Sequence, residues 1–395
     1  MSAVAFTHAD APSPADGGDV RALPSWRRRL RRRARLIAGL GIIALFYLVA
    51  LSSDLIAPYD YRAQARNEPA APPTPVRFRD ADGNWHARPF IYARRLADPL
   101  ARTYVEDTTR AYPLTLCPHG YSYHLFGLIP TDRHLFGVQS TPQTTQAANA
   151  QATSGQAARA ADTAAMPPRL YLLGADASGR DYFSRLLRAT RFSLLVGPVG
   201  TLLAALLGIL IGCVAGYAGH TVDAVLMRAA DAMLALPELL LILAARAAFP
   251  IKLEATTAAL LLVGIFIAIG WAEMARVTRG LVLALRQREF VLAATGLGLS
   301  ETRILFRHIL PNAARTLVVQ VSLLLPAFLL AETALSYLGV GVQEPEASWG
   351  NMLAAASDLN LLAAHPFIIL TPAIAIFIFV LSVRLTSDGL RRPNR

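Results

Sequence analysis

Long apolar stretches alternate along this chain with polar, arginine-rich ones. Residues 36–51 are almost wholly apolar, and the run continues past Ser52 and Ser53 to Ile56. Five more such stretches follow at residues 192–217, 224–249, 256–271, 316–338 and 366–383. An α-helix needs roughly 20 apolar residues to cross a hydrocarbon core of about 30 Å. The pattern therefore predicts an all-α membrane protein with six transmembrane helices. The third stretch is the least clean, since it holds Arg228, Asp231, Pro237, Glu238 and Arg246. Arg228 and Asp231 stand three apart and can pair on one helix face, and Pro237 predicts a kink.

The first and second spans are separated by residues 57–171. After Pro72, Pro73 and Pro75, the sequence VRFRDADGNWHARPFIY alternates on either side of Asp82 and Gly83. That is the signature of a hairpin, so the segment is expected to add some β-structure to the helical body. Residues 139–168 are dominated by Ala, Gln, Thr and Ser. With so few large apolar side chains they cannot offset the entropy of ordering the backbone and read as a disordered linker. Residues 1–35 read as a disordered basic tail.

Charge sets the orientation. The net charge of +11 comes from arginines clustered beside apolar runs, the pattern of membrane-flanking segments rather than of a nucleic-acid surface. Seven arginines lie between Arg27 and Arg35, directly before the first span, which predicts a cytoplasmic start. A signal peptide has the same order, but the apolar run is long and lacks a clear small-residue cleavage site, so an uncleaved anchor is the better reading. Six spans then place both termini and the loop after the fourth span in the cytoplasm. That loop carries Arg276, Arg279, Arg286, Arg288, Arg303 and Arg307, whereas residues 339–365 contain no Lys or Arg. Residues 57–171 fall outside the cytoplasm, followed by an interfacial segment at 172–190.

Candidate chemistry is sparse. Lys252 is the sole lysine and follows Phe249, Pro250 and Ile251 rather than a Gly-rich turn, so the chain carries no P-loop and its energy must come from a partner or a gradient. Cys117 and Cys213 fall in different environments and form no disulfide framework. His86, His119, His124 and His134 have no metal-site spacing. No Gly-x-Ser-x-Gly or His-Glu-x-x-His motif points to a catalytic residue. Glu332 is the one carboxylate in the middle of the fifth span, so it must face other helices or water; a translocation-path contact and a packing hydrogen bond are both open. Asp231 is the second candidate.

The polar loop at 286–312, RQREFVLAATGLGLSETRILFRHILPN, stands out between apolar flanks. Good helix formers from Glu289 to Thr295 give way to Gly296 and Gly298, which suit a helix end and a turn. Ser300 is placed to cap a second helix with Glu301 in its first turn. Ile304, Leu305, His308 and Ile309 give that helix an apolar ridge, and Pro311 suits the start of the next one.

Glu289, Ala293, Ala294, Gly296, Gly298, Ile304, His308, Leu310 and Pro311 resemble the EAA signature of ABC importer permeases, the loop through which the membrane subunit grips its ATPase. Gly174, Asp176, Gly179, Arg180, Asp181, Ser184 and Arg185 resemble the segment before the second span of dipeptide-type permeases, with Ala175 where Thr is usual. Ser348 to Asn351 resemble the family's Ser-Trp-Gly-Asn turn, and Asp388 to Arg391 its Asp-Gly-Leu-Arg, while Arg384 stands where Asn is common. The likeness covers residues 172–391, with a first span alike only in kind.

The resemblance implies a type I ABC importer permease fold with a permease core at 191–391. It implies a bacterial inner-membrane subunit that binds no cofactor, works with a second permease subunit in a heterodimer, two cytoplasmic ATPases that hydrolyse ATP and an extracytoplasmic solute-binding protein, and moves di- or oligopeptides. Nickel chelates and related solutes use similar permeases. A gradient-driven carrier or channel is the alternative; Glu332 and Asp231 would then bind the coupling ion.

Overall fold

The computed structural model describes residues 25–390 apart from 100–101, 126–127, 139–167, 218, 251–252 and 356–365. The expected linker lies almost wholly outside the described residues, as do residues 1–24 of the expected tail, whereas residues 25–35 of that tail are helical, because the apolar run that follows carries its helix back through the arginines.

The helices are α1 (Ser25–Leu51), α2 (Ser53–Ile56), α3 (Tyr182–Tyr217), α4 (His220–Leu234), α5 (Glu238–Ala247), α6 (Ala255–Arg286), α7 (Glu289–Gly296), α8 (Glu301–Ile304), α9 (Leu310–Tyr337), α10 (Trp349–Ala354) and α11 (Pro366–Leu390). A π-helical turn, Leu305–Ile309, joins α8 to α9. Among the described residues five helical runs are long and apolar enough to cross a membrane: Leu30–Leu51, Tyr182–Tyr217, Ala255–Arg286, Glu301–Tyr337 and Leu370–Leu390. The stretch expected to form the third span is divided into α4 and α5, which flank Pro237. Proline lacks the N–H that would continue the ladder and its ring crowds the preceding turn, so one long helix becomes two short ones at the kink site.

The body is built around α3 against α6. Gly208, Gly212 and Gly216 recur every fourth residue on α3, and a Cβ on any of them would meet α6 at 2.5 to 2.7 Å: the Trp271 carbonyl and Met274, the Ala275 carbonyl, and Val282. Bare Cα atoms at this spacing let two backbones approach, which is how helices gain packing where lipid removes the hydrophobic drive. Phe266 of α6 stacks on Phe328 of α9 at 4.5 Å, and both rings are buried with Leu262, Leu324 and Leu335. A second cluster packs α1, α3, α10 and α11 around Trp349 and Phe379.

Outside this body, β1 (Arg77–Arg79), β2 (Trp85–Asp98), β3 (Thr103–Leu116) and β6 (Phe136–Val138) form an antiparallel sheet in the order β1-β2-β3-β6. β4 (His119–Leu125) and β5 (Ile129–Arg133) pair separately. The β1–β2 turn is closed by Asp80, whose carboxylate accepts from the Asn84 N–H at 2.7 Å, with Gly83 at φ +93°. Ring nitrogens of the buried His134 lie 3.0 Å from the Asp54 carbonyl and 3.1 Å from the Tyr121 carbonyl, and the Leu135 N–H donates to the Leu55 carbonyl at 2.8 Å. These bonds seat the β unit on α2, at the end of the first span.

Candidate functional site

Three places carry the polar groups: the loop between α6 and α9, the interior of the bundle, and the opposite end, where α3 begins.

In the loop, α7 ends in a paired-bond cap. The Leu299 N–H donates to the Ala294 carbonyl at 3.2 Å and the Gly298 N–H to the Thr295 carbonyl at 2.9 Å, around Gly298 at φ +74°. This is a Schellman turn, and a positive φ at its centre favours glycine. The turn residue is thus Gly298, while Gly296 lies in the last helical turn, where a Cβ would meet nothing within 4 Å. Ser300 takes the N-cap position with extended backbone but makes no side-chain cap; its hydroxyl lies 3.5 Å from that of Thr302.

The chain does not restart at Pro311 but runs on through the π turn. Pro311 has no N–H for the Arg307 carbonyl and its ring crowds that turn, and a widened turn accommodates both. The carbonyl of His308 is taken by the Asn312 side-chain amide at 2.6 Å. π turns of this kind are frequent at functional sites.

Inward-facing residues fix the loop. Val291, Ala294, Ile304 and Ile309 are buried against Cys213 and Val282. The Arg286 guanidinium donates to the Gly216 carbonyl at 2.7 Å and stacks over the Tyr217 ring at 4.6 Å. Glu289, Ala293, Gly296, Gly298 and Pro311 face out, and His308 and Leu310 are half-buried. Around them stand exposed apolar side chains: Phe290, Leu292, Leu297 at 82% and Phe306 at 63%. Sequence reasoning passed over these four because an apolar residue in a helical pattern reads as core.

Glu332 is fully buried in α9 and accepts from Ser193 of α3 at 3.2 Å and Ser336 at 2.8 Å. Ser193 Oγ also accepts from the Trp349 N–H at 3.2 Å. The carboxyl therefore joins three helices and touches no open space. Asp231 does not pair with Arg228; it pairs with Arg276 of α6, and Asp223 with Arg279. α4 runs antiparallel to α6, so the acidic positions of one meet the arginines of the other across the helices rather than along one face.

The third place brings together Asp176, Arg180 and Arg185, singled out in the sequence, with Glu344 and Glu346, which were not. Glu344 pairs with Arg180 and, at 2.9 Å, with Arg185, and Arg180 is also held by Asp176 at 2.7 Å. Glu346, nearly buried, accepts from Tyr61 at 2.5 Å, Arg62 at 2.7 Å and Arg188 at 3.1 Å. Burial alone pushes both carboxyls up, but the guanidiniums and the Tyr61 hydroxyl outweigh it and hold both below the usual glutamate range. Asp181 has only Ser184 as a side-chain partner, its other oxygen is buried without one, and burial pushes its carboxyl up to about 6. Ser348 and Asn351 close a capping box at the start of α10, which lays Trp349 into the bundle with its indole N–H on Thr190 at 3.1 Å. The signal was available: two glutamates in an arginine-free loop opposite Arg180, Arg185 and Arg188.

Known proteins share this arrangement of sequence. The family of binding-protein-dependent transport system inner membrane components matches residues 208–392, and the N-terminal TM domain of oligopeptide transport permease C matches residues 25–73. The oligopeptide transport system permease protein OppC of Bacillus subtilis is 36% identical over 225 residues, 57% of this chain and 71% of that protein. The dipeptide transport system permease protein DppC of the same organism is 35% identical over 227 residues, covering 57% and 69%. Among solved structures, an inward-facing MetNI methionine ABC transporter aligns with a TM-score of 0.40 at 16% identity, over 52% of this chain and 94% of that one. With seven-tenths of OppC covered at this identity, the chain belongs to the binding-protein-dependent transport system inner membrane components, as a multi-pass permease subunit.

Proposed function

We propose that this subunit moves di- or oligopeptides into the cytoplasm, driven by ATP hydrolysed in two separate ATPase subunits and supplied by an extracytoplasmic binding protein, with a second permease completing the path. The relatives named for oligopeptide and dipeptide transport support the cargo. The observation that carries the coupling is the loop at 286–312: a rigid base of buried residues under an outward face of Phe290, Leu292, Leu297 and Phe306. Apolar side chains this exposed on a polar loop fit a protein partner rather than water. Among the described residues nothing lies within 4 Å of where a Cβ on Gly296 would stand, so its value lies in letting another backbone come close. Glu289, Ala293, Gly296 and Pro311 are the proposed contact positions; Gly298, Ala294, Ile304, His308 and Leu310 hold the shape.

In this reading both termini and the loop are cytoplasmic and the β unit extracytoplasmic. Glu332, sealed between helices, acts in this reading as a packing joint, while Asp231, exposed and paired with Arg276, stays the candidate for the path.

The test is Gly296→Asp in proteoliposomes holding the complete transporter. Insertion and thermal stability should match the parent, since the added side chain enters open space, while transport falls at least tenfold, or about 1.4 kcal/mol or more of lost coupling. Full transport would overturn the loop assignment. Orientation is checked with a thiol reagent that cannot cross the membrane: it should label the exposed Cys117 in intact spheroplasts and spare a cysteine placed at Ser300.

A further inference from the structure

Among the described side chains, the arginines at the start of α1 make little use of the rest of the protein. α1 continues unbroken from Ser25 to Leu51, so the seven arginines between Arg27 and Arg35 are helical and stacked directly below the span. Among those described, Arg32 is spent internally: it donates through Nε to the Gly389 carbonyl of α11 at 2.8 Å. It lies on the face that packs on α11, where a Cβ on Gly39 would strike Thr386 and one on Gly389 would strike Leu36. Arg31, Arg33 and Arg35 are exposed, and among the described residues none has an acidic partner.

The outer face of α1 identifies what surrounds them. Ile37, Leu40, Leu48 and Leu51 are exposed by half or more and recur at helical spacing, a stripe suited to hydrocarbon. Leu30 and Arg33 continue the same stripe toward the N-terminus, so the guanidinium emerges where the lipid tails end. Residues 27–35 span about 12 Å of helix, more than the roughly 5 to 7 Å of one headgroup layer. We propose that this collar is a binding site for anionic phospholipid headgroups. The guanidinium fork matches two phosphate oxygens at once, and a phosphatidylglycerol headgroup keeps its net negative charge where phosphatidylcholine cancels it with an ammonium. Recognition needs no particular orientation of the chain and does not rest on the transport reading.

The experiment is native mass spectrometry of the whole protein released from nanodiscs of equimolar phosphatidylglycerol and phosphatidylcholine. The parent should retain phosphatidylglycerol over phosphatidylcholine. Combined Arg31→Gln, Arg33→Gln and Arg35→Gln should cut that preference by about tenfold or more, each surface arginine being a separate attraction. The matching lysine variants, which lose the fork but keep the charge that tells phosphatidylglycerol from phosphatidylcholine, should hold it within about threefold. Removing three exposed arginines of the β unit, with Arg79→Gln, Arg88→Gln and Arg110→Gln, should leave it unchanged. A parental preference in the glutamine variant, or an equal loss in the β-unit control, would overturn the proposal. So would a glutamine variant that keeps the lipid but no longer co-purifies with a soluble acidic partner.

Discussion

The two ends of the bundle solve opposite problems. Where α3 begins, charge is paired: the buried Glu346, Asp176, Arg180 and Arg185 and the more exposed Glu344 and Arg188 answer one another, and Trp349 closes over Thr190 and Ser193. Where α6 ends, the loop keeps its base to itself and leaves Leu297 and Phe306 in the open. A closed network gains from every partner it already has and loses when one is removed. An open face contributes nothing to the isolated chain, and its residues acquire energy only on docking. Substitutions at the first end should therefore register in stability, and at the second in coupling.

Trp349→Ala offers the hardest test of that division. The ring is fully buried, in edge contact with Phe46 and near Phe379, so its loss should cost about 3 to 5 kcal/mol. A thermal midpoint within a degree or two of the parent would mean that the closed end is not a stability centre. Glu346→Gln leaves Arg188 and Arg62 facing a neutral amide and should cost about 2 kcal/mol, with the midpoint again as readout.

Proton linkage probes the same network from both sides. Asp181 has its folded pKa raised to about 6, so its carboxylate form is penalised: the fold gains stability as pH falls from neutrality through that value and loses it again as pH rises. Glu344 and Glu346 have depressed folded values, so their contribution is present above the ordinary glutamate pKa of about 4.3 and disappears as pH falls below it. Unfolding scans should show a stability maximum between about pH 4 and 5, where the gain from Asp181 meets the loss from the glutamates. Asp181→Asn should flatten the alkaline side only; a curve unchanged by it would remove Asp181 from the account.

At the open end the effects on stability are smaller. Gly298→Ala forces a Cβ into a positive-φ turn and should cost about 1 kcal/mol, together with reduced stimulation of ATP hydrolysis by the assembled transporter. Leu297→Ser and Phe306→Ser should stay within about 0.5 kcal/mol of the parent yet weaken ATPase binding. If either lowered stability like Trp349→Ala, the exposed face would belong to the fold and not to a partner.

Much of this could be read along the chain because the bilayer imposes a one-dimensional rule. Helix length and apolar content answer to the thickness of the hydrocarbon layer, so the spans expected at 192–217 and 366–383 announce themselves locally, although the helix that holds the first begins ten residues earlier, at Tyr182, within the segment expected to lie at the interface. The loop was legible for a related reason, since Gly298, Pro311 and the ridge of Ile304 and Ile309 act within a few residues of themselves. The pairings could not be read this way. Asp231 meets Arg276 and Glu346 meets Tyr61 across 45 and 285 positions of sequence, and nothing local prefers those partners to nearer ones such as Arg228.

By itself, then, the sequence determined five of the segments that can enter lipid, that the ladder is disturbed at Pro237, and that a polar helix-turn-helix sits between two spans; it did not foresee that 224–249 divides into two short helices. Those outcomes follow from backbone hydrogen bonding and from transfer of side chains to hydrocarbon, which each segment satisfies alone. Only the tertiary structure decided that Gly208, Gly212 and Gly216 are the seam for α6, that Glu332 is a joint between three helices, and which loop residues face in or out. Each of these depends on how closely two distant backbones approach, a quantity that packing sets and local sequence does not encode.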